Sequence, residues 1–300
     1  MTSETIGETR ENESLQDDIF NGLELDLQMD DVCFSYDKKD ESKAVLKGIT
    51  LEINGPQLIS IVGPNGVGKS TLIHCINKIL NPVKGKVMIN QTDVKDINVK
   101  ELAKDVGYVP YTSSDSFPLS VVDTVMMGRF PHSKWGSSAK DLEIVKGVLK
   151  LLDIEDLALR SFSELSAGQH QKVMLARGLA QEPKILLLDE PTSNLDIRYQ
   201  LEITRILRDL SHQKRMIVIM ISHDINIAAK YSDNIIMLKN GTIYSLGEPK
   251  DVITEENVRY VYDIGCRIVM DEDRPHVILI DEKDKSCIPS DDHYIKGVCH

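Results

Sequence analysis

The chain has 300 residues, 41% of them hydrophobic, with 35 basic against 47 acidic side chains and a net charge of −12. That balance argues against sequence-independent nucleic-acid binding, which needs a basic surface to displace counterions, while the apolar content suffices for a substantial core. No run approaches the roughly 18 consecutive apolar residues of a membrane span, the N-terminus lacks a signal peptide's apolar stretch, and the 5 scattered cysteines form no C-x-x-C pair, which points to reduced thiols.

Residues 1–22 are polar, acidic and aperiodic (Glu4, Glu8, Glu11, Glu13, Asp17, Asp18) and predict a disordered tail. From Leu23 to Ile53 short alternating runs, broken by the charged turn Asp37 to Lys43, predict antiparallel strands. Leu58 to Val62 reads as a buried strand and Thr71 to Leu80 as a helix stopped by Asn81-Pro82. A strand over Gly85–Ile89, a short helix over Val99–Lys104 and a strand over Val106–Val109 follow. A predominantly helical stretch runs from Tyr111 to about Gln181, with helices over Val121–Gly128 and Lys140–Leu152 and another beginning at Ala167-Gly168. The apolar runs Ile185–Leu188, Ile217–Ile221 and Ile235–Leu238, separated by helices, indicate a parallel sheet covered on both faces. Arg267–Met270 and Val277–Ile280 flank the turn Asp271 to Pro275 as a hairpin, and the chain closes with a polar, mobile tail. Cys287, His293, Cys299 and His300 in that tail match no standard metal-ligand spacing.

Between the strand Leu58–Val62 and its following helix, Gly63-Pro64-Asn65-Gly66-Val67-Gly68-Lys69-Ser70 fits G-x-x-x-x-G-K-[ST] in full. Strand, glycine loop and helix start are what a phosphate cradle needs: glycines let N–H groups turn inward, and the helix start adds unpaired donors, Thr71 included. Lys69 then reaches the β- and γ-phosphates, and the Ser70 hydroxyl can ligate Mg²⁺. In an open α/β sheet ligands gather beyond the C-terminal strand ends. There Ile185–Leu188 ends in Asp189-Glu190, read as the Mg²⁺ partner and the base for the attacking water. Ile217–Ile221 ends in Ser222-His223-Asp224, which places an imidazole within reach of a γ-phosphate. Leu165-Ser166-Ala167-Gly168-Gln169 opens a further helix with a Ser cap, a second possible anion site.

Taken in this order, the motifs resemble the ATP-binding subunit of an ABC transporter. Gly63–Ser70 is similar to the Walker A loop, Leu165–Gln169 to the family signature, Ile185–Glu190 to Walker B, Ser193-Asn194-Leu195-Asp196 to the D-loop and His223 to the switch histidine. The resemblance implies an α/β fold, a P-loop NTPase ABC cassette with a mostly parallel core sheet, an N-terminal antiparallel β subdomain and a helical subdomain. The ATPase domain would cover residues 23–262 with the helical subdomain at about 111–181, leaving 263–300 for the hairpin and polar tail. It further implies Tyr36 stacked on adenine, ATP and Mg²⁺ as ligands, and a head-to-tail homodimer in which Ser166, Gly168 and Gln169 of one copy close over the nucleotide on the other, beside Asp196.

Ser116 to Val121 and Val125 to His132, with Gly247-Glu248-Pro249, narrow the resemblance to importers of iron-siderophore, haem and cobalamin complexes. The chain would then be a peripheral subunit at the cytoplasmic face of the membrane, coupled to integral-membrane permease subunits and indirectly to a substrate-binding protein. No nucleic acid is expected. A reading of another class is a soluble ABC ATPase of a cytoplasmic assembly such as iron–sulfur cluster building. One departure stands out: where the family follows the strand Val106–Val109 and Pro110 with a glutamine touching Mg²⁺ and water, this chain has Tyr111. A neutral phenol is a weak metal ligand. Tyr111 is therefore not carried over as one, Ser113, Ser114 and Asp115 are the candidates to compensate, and the phenol hydroxyl is expected to make no essential contact.

Overall fold

The computed structural model describes residues 25–37, 41–111, 119–133 and 138–280. The expected acidic tail, Ser113 to Pro118 and the C-terminal tail with Cys287, His293, Cys299 and His300 lie outside the described residues. In chain order the strands are β1 (Asp26–Phe34), β2 (Leu46–Asn54), β3 (Gln57–Val62), β4 (Lys84–Ile89), β5 (Thr92–Asp93), β6 (Val106–Val109), β7 (Ile185–Leu188), β8 (Ile217–Ile221), β9 (Asn234–Lys239), β10 (Thr242–Gly247), β11 (Gly265–Asp271) and β12 (Arg274–Ile280). The helices are α1 (Lys69–Ile76), α2 (Val99–Asp105), α3 (Val121–Met126), α4 (Ala139–Leu151), α5 (Ala167–Leu179), α6 (Ile197–Gln213), α7 (Ile225–Tyr231), α8 (Pro249–Val252) and α9 (Glu255–Tyr262).

Alternation in β1 and β2 puts Leu27, Met29, Ile49, Leu51 and Ile53 on one face, and this face closes an antiparallel sheet of order β2-β1-β4-β5 over α1. The central sheet runs β10-β9-β3-β8-β7-β6, parallel except for β10. Its apolar strands serve two cores at once. In β7, Ile185 and Leu187 face α1 and the antiparallel sheet, while Leu186 and Leu188 face Val173 and Leu175 of α5 and Leu207 of α6. A strand buried on both sides shows no alternation of polarity, which is why these runs read as continuous hydrophobics.

Three expectations are corrected. α1 stops at Ile76, short of Leu80: the Asn77 N–H closes the helix on the Ile73 carbonyl at 3.1 Å and Lys78 turns left-handed (φ 60°), its ammonium held by the carbonyls of Lys95 and Ile97. The C-terminal hairpin turns on Glu272-Asp273 alone, because Arg274 binds the Ser232 carbonyl at 2.6 Å and Pro275 pairs across from Met270 within β12. β10 was not foreseen, although the left-handed Asn240-Gly241 pair that joins it to β9 is a hairpin signal.

A buried cation fastens the helical insert. Arg129, 5% exposed, donates to Asp141 Oδ1 at 2.9 Å, to the Ala180 carbonyl at 2.6 Å and to Glu182 Oε2 at 2.7 Å. Asp141 also accepts from the Ser138 N–H and hydroxyl in a capping box that starts α4. The Ser138 backbone N–H first, and Arg129 next, hold the Asp141 carboxyl well below the ordinary aspartate range.

Because its folded pKa is depressed, Asp141 contributes stability that is fully present above the ordinary aspartate value of 3.8 and is lost as the pH falls below it. Asp141→Asn should therefore melt below wild type at pH ~7, and the gap should close in acid, as thermal unfolding at several pH values will read. Leu187→Ala, at a position with 0% exposure, should cost about 2–5 kcal/mol in denaturant unfolding by opening a cavity in the sheet.

Candidate active site

β3, β6, β7 and β8 are parallel, so their C-terminal ends share one edge: Val109 lies opposite Leu188, Leu188 opposite Met220, and Ile61 opposite Ile221. The glycine loop leaves β3 at this edge. Gly63 (φ 146°), Gly66 (φ 78°) and Gly68 (φ 104°) hold backbone that other residues adopt with strain, and a Cβ on Gly63 would stand 2.4 Å from the Leu238 carbonyl oxygen. Gly68 is the N-cap of α1 and offers no side chain there, so the cap is pure backbone. Asn65 and Gly66 are exposed at the loop's tip, with Pro64 and Val67 half-buried beside them.

Lys69 opens α1, only 6% exposed, and donates to the carbonyls of Gly63 at 2.8 Å and Pro64 at 2.9 Å. Burial pushes its ammonium pKa down, opposed by the charges of Glu190 and Asp189. The Ser70 hydroxyl donates to Asp189 Oδ1 at 3.1 Å. Burial raises the Asp189 pKa; the Ser70 hydrogen bond works against this and the Glu190 charge adds to it. Glu190 follows in left-handed backbone (φ 52°), one oxygen 2.5 Å from His223 Nε2 and the other accepting from the Ser193 hydroxyl at 3.2 Å. Lys69, Ser70, Asp189, Glu190 and His223 thus converge from three strand ends. Two oxygen donors of different kinds, an alcohol and a carboxylate, stand together there, a set suited to a hard divalent cation.

Tyr36 is 68% exposed just past β1, with its ring edge-on to Phe34 (centroids 5.0 Å apart) and its hydroxyl 3.4 Å from Thr71 Oγ1. It therefore offers a bare aromatic face next to the start of α1. The second anion candidate is built differently. Ser166 caps α5, and Gln169 returns its side-chain oxygen to the Ser166 N–H at 3.0 Å, a reciprocal capping box. Gly168 lies under Tyr199 of α6, where a Cβ would meet the ring at 2.6 Å, so this helix start is packed on α6. Asp196 caps α6 through the Tyr199 N–H at 3.0 Å.

His74, Tyr108 and Tyr262 were missed from sequence, and Asn194 was read only as part of the D-loop-like segment. His74 lies one turn beyond Ser70 on α1 and pairs with the Tyr108 hydroxyl at 2.9 Å, the phenol pushed up to about 12 by burial and by Asp189. The i, i+4 spacing from Ser70 was a usable signal. Tyr262, also raised to about 12 by burial against a Gly63 backbone hydrogen bond, brings the C-terminal helix to the loop. Asn194 donates its side-chain amide to the Tyr111 hydroxyl at 2.7 Å. The hydroxyl expected to make no essential contact thus has a partner in the fold.

Comparison with known proteins identifies the family. The profile of the ABC transporter family matches residues 46–193. An uncharacterized ABC transporter ATP-binding protein of Methanocaldococcus jannaschii is 48% identical over 81% of this chain and 93% of its own length. The petrobactin import ATP-binding protein of Bacillus anthracis is 33% identical over 76% of this chain and 84% of its own. Among solved structures, an inward-facing metal-chelate type ABC transporter superposes with a TM-score of 0.74 at 26% identity, covering 87% of this chain and 99% of that one. The chain belongs to the ABC transporter family, as one of its ATP-binding, ATP-hydrolysing cassettes.

Proposed function

We propose that the chain is the energy-coupling subunit of an ABC importer for iron-siderophore, haem or cobalamin-type metal chelates. The observation that carries its hydrolytic part is the meeting of Lys69, the Ser70–Asp189 pair and the Glu190–His223 pair at one sheet edge. Here the Gly63–Thr71 backbone and Lys69 bind the β- and γ-phosphates, and the Tyr36 ring stacks on adenine. Ser70 and Asp189 are the residues that would hold Mg²⁺, which when bound neutralises phosphate charge. Glu190, oriented by Ser193 and His223, takes the proton of the water that attacks the γ-phosphorus as the bond to ADP breaks, and His223 hydrogen-bonds the γ-phosphate.

In the same reading two copies pair head to tail. The exposed Ser166 end of α5, with Gly168 and Gln169, closes over the nucleotide on the other copy, with Asp196 alongside. Among the described residues no helix is long and apolar enough to cross a membrane, so the proposed transport path belongs to permease subunits, fed by a substrate-binding protein, with this chain on their cytoplasmic face. The docking surface is the segment after α3, where exposed Met127 (40%) and Phe130 (65%) flank the buried Arg129. His132 tethers that segment to the Gln181 carbonyl at 2.8 Å. The naming of relatives for siderophore import supports the cargo class.

Glu190→Gln should retain ATP binding and slow hydrolysis by roughly two to four orders of magnitude, with an ATP-bound dimer accumulating on gel filtration; unchanged turnover removes Glu190 from this role. A cysteine at position 130 should crosslink to a membrane subunit, and Phe130→Ala with Met127→Ala should uncouple transport while ATP binding persists. Recovery of the crosslinked chain with soluble partners alone would favour a cytoplasmic assembly ATPase instead. Copurified permease and binding protein, with the bound compound identified, test the cargo.

A further inference from the structure

β6 and β7 run side by side, and the Asp189 N–H continues their ladder onto the Val109 carbonyl at 2.9 Å, so the loops leaving the two strands start together. From the first loop Tyr111, 46% exposed, presents its hydroxyl to the second, where it accepts the Asn194 amide at 2.7 Å. Asn194 is left-handed (φ 61°), a conformation that asparagine tolerates better than most residues. Its neighbour Ser193 binds Glu190 twice, side chain to Oε2 and N–H to the carbonyl, each at 3.2 Å. Glu190 shares the left-handed geometry, so the direction of its carboxylate depends on how this short loop closes. A tyrosine has a rigid ring and two torsions, which makes it an inexpensive anchor in conformational entropy.

We propose that Tyr111 is a positioning residue for ATP hydrolysis, holding Asn194 and thereby closing the 190–196 loop so that Glu190 points at the attacking water. This rests on the reading of Glu190 as the base. Tyr111 touches neither nucleotide nor metal in this role; the phenol oxygen is an acceptor for the loop, in place of the metal contact that a glutamine makes in the family.

The test is steady-state ATP hydrolysis by the full chain with Mg²⁺, reading kcat and KM separately. Tyr111→Phe keeps the ring and removes the acceptor, whereas Asn194→Gly keeps the left-handed backbone and removes the donor. Each single change should lower kcat about three- to tenfold with little change in KM for ATP, and the double variant should lose no more than the worse single. In the Glu190→Gln background, Tyr111→Phe should have no further effect. Wild-type kcat in Tyr111→Phe, a loss carried by KM, or losses that multiply in the double variant overturn the positioning role. Slow Glu190→Gln beside a normal Tyr111→Phe sinks this role alone, while normal turnover in Glu190→Gln sinks the reading of the base and this role with it.

Discussion

The burial of one ammonium and one carboxylate at the same sheet edge is the constraint that the rest of the structure serves. Lys69 and Asp189 are both nearly inaccessible to water, and burial pushes each toward its neutral form. An uncompensated buried charge is costly, so each needs its neighbours: carbonyls of the glycine loop for the lysine, the Ser70 hydroxyl for the aspartate. That requirement ties the end of β3, the start of α1 and the end of β7 to one another. A parallel sheet satisfies it cheaply, because strands in register deliver their last residues to the same place.

The second organising contact is Arg129. Its guanidinium reaches the start of α4 and the chain just past α5 at once, so the exposed Met127 and Phe130 are carried on a segment with a rigid footing. The C-terminal part is attached in the same polar manner. Asn226 of α7 exchanges two hydrogen bonds with the Val277 backbone of β12, and α7 begins two residues after His223. The hairpin is thereby hydrogen-bonded to the element that follows His223.

Elements whose signal is local were legible. β6, β7 and β8 coincide with the apolar runs read from sequence, and α5 starts at Ala167 as the Ser166 cap requires. The glycine loop was legible because its chemistry demands particular residues at particular spacing. β10 carried the Asn240-Gly241 turn signal, but its polarity does not follow its faces: Tyr244 and Leu246 stand at exposed positions and Ser245 at a half-buried one. The early stop of α1 had no such local mark, since it depends on carbonyls of Lys95 and Ile97, well removed along the chain.

The candidate site divides the same way. Residue type and spacing alone picked out Lys69, Ser70, Asp189, Glu190 and His223, because a phosphate loop and a carboxylate-ended buried strand are stated within a few consecutive residues. Which of them touch was decided by the fold: the Ser70–Asp189 bond spans 119 residues of chain, and Glu190 meets His223 across adjacent strand ends. The partnership of Tyr111 with Asn194 spans 83 residues and follows from β6 and β7 being neighbours in the sheet. A sequence states what each side chain can do; strand order decides which side chains meet, because it is set by the burial of both sheet faces, a property of the whole chain rather than of any one segment.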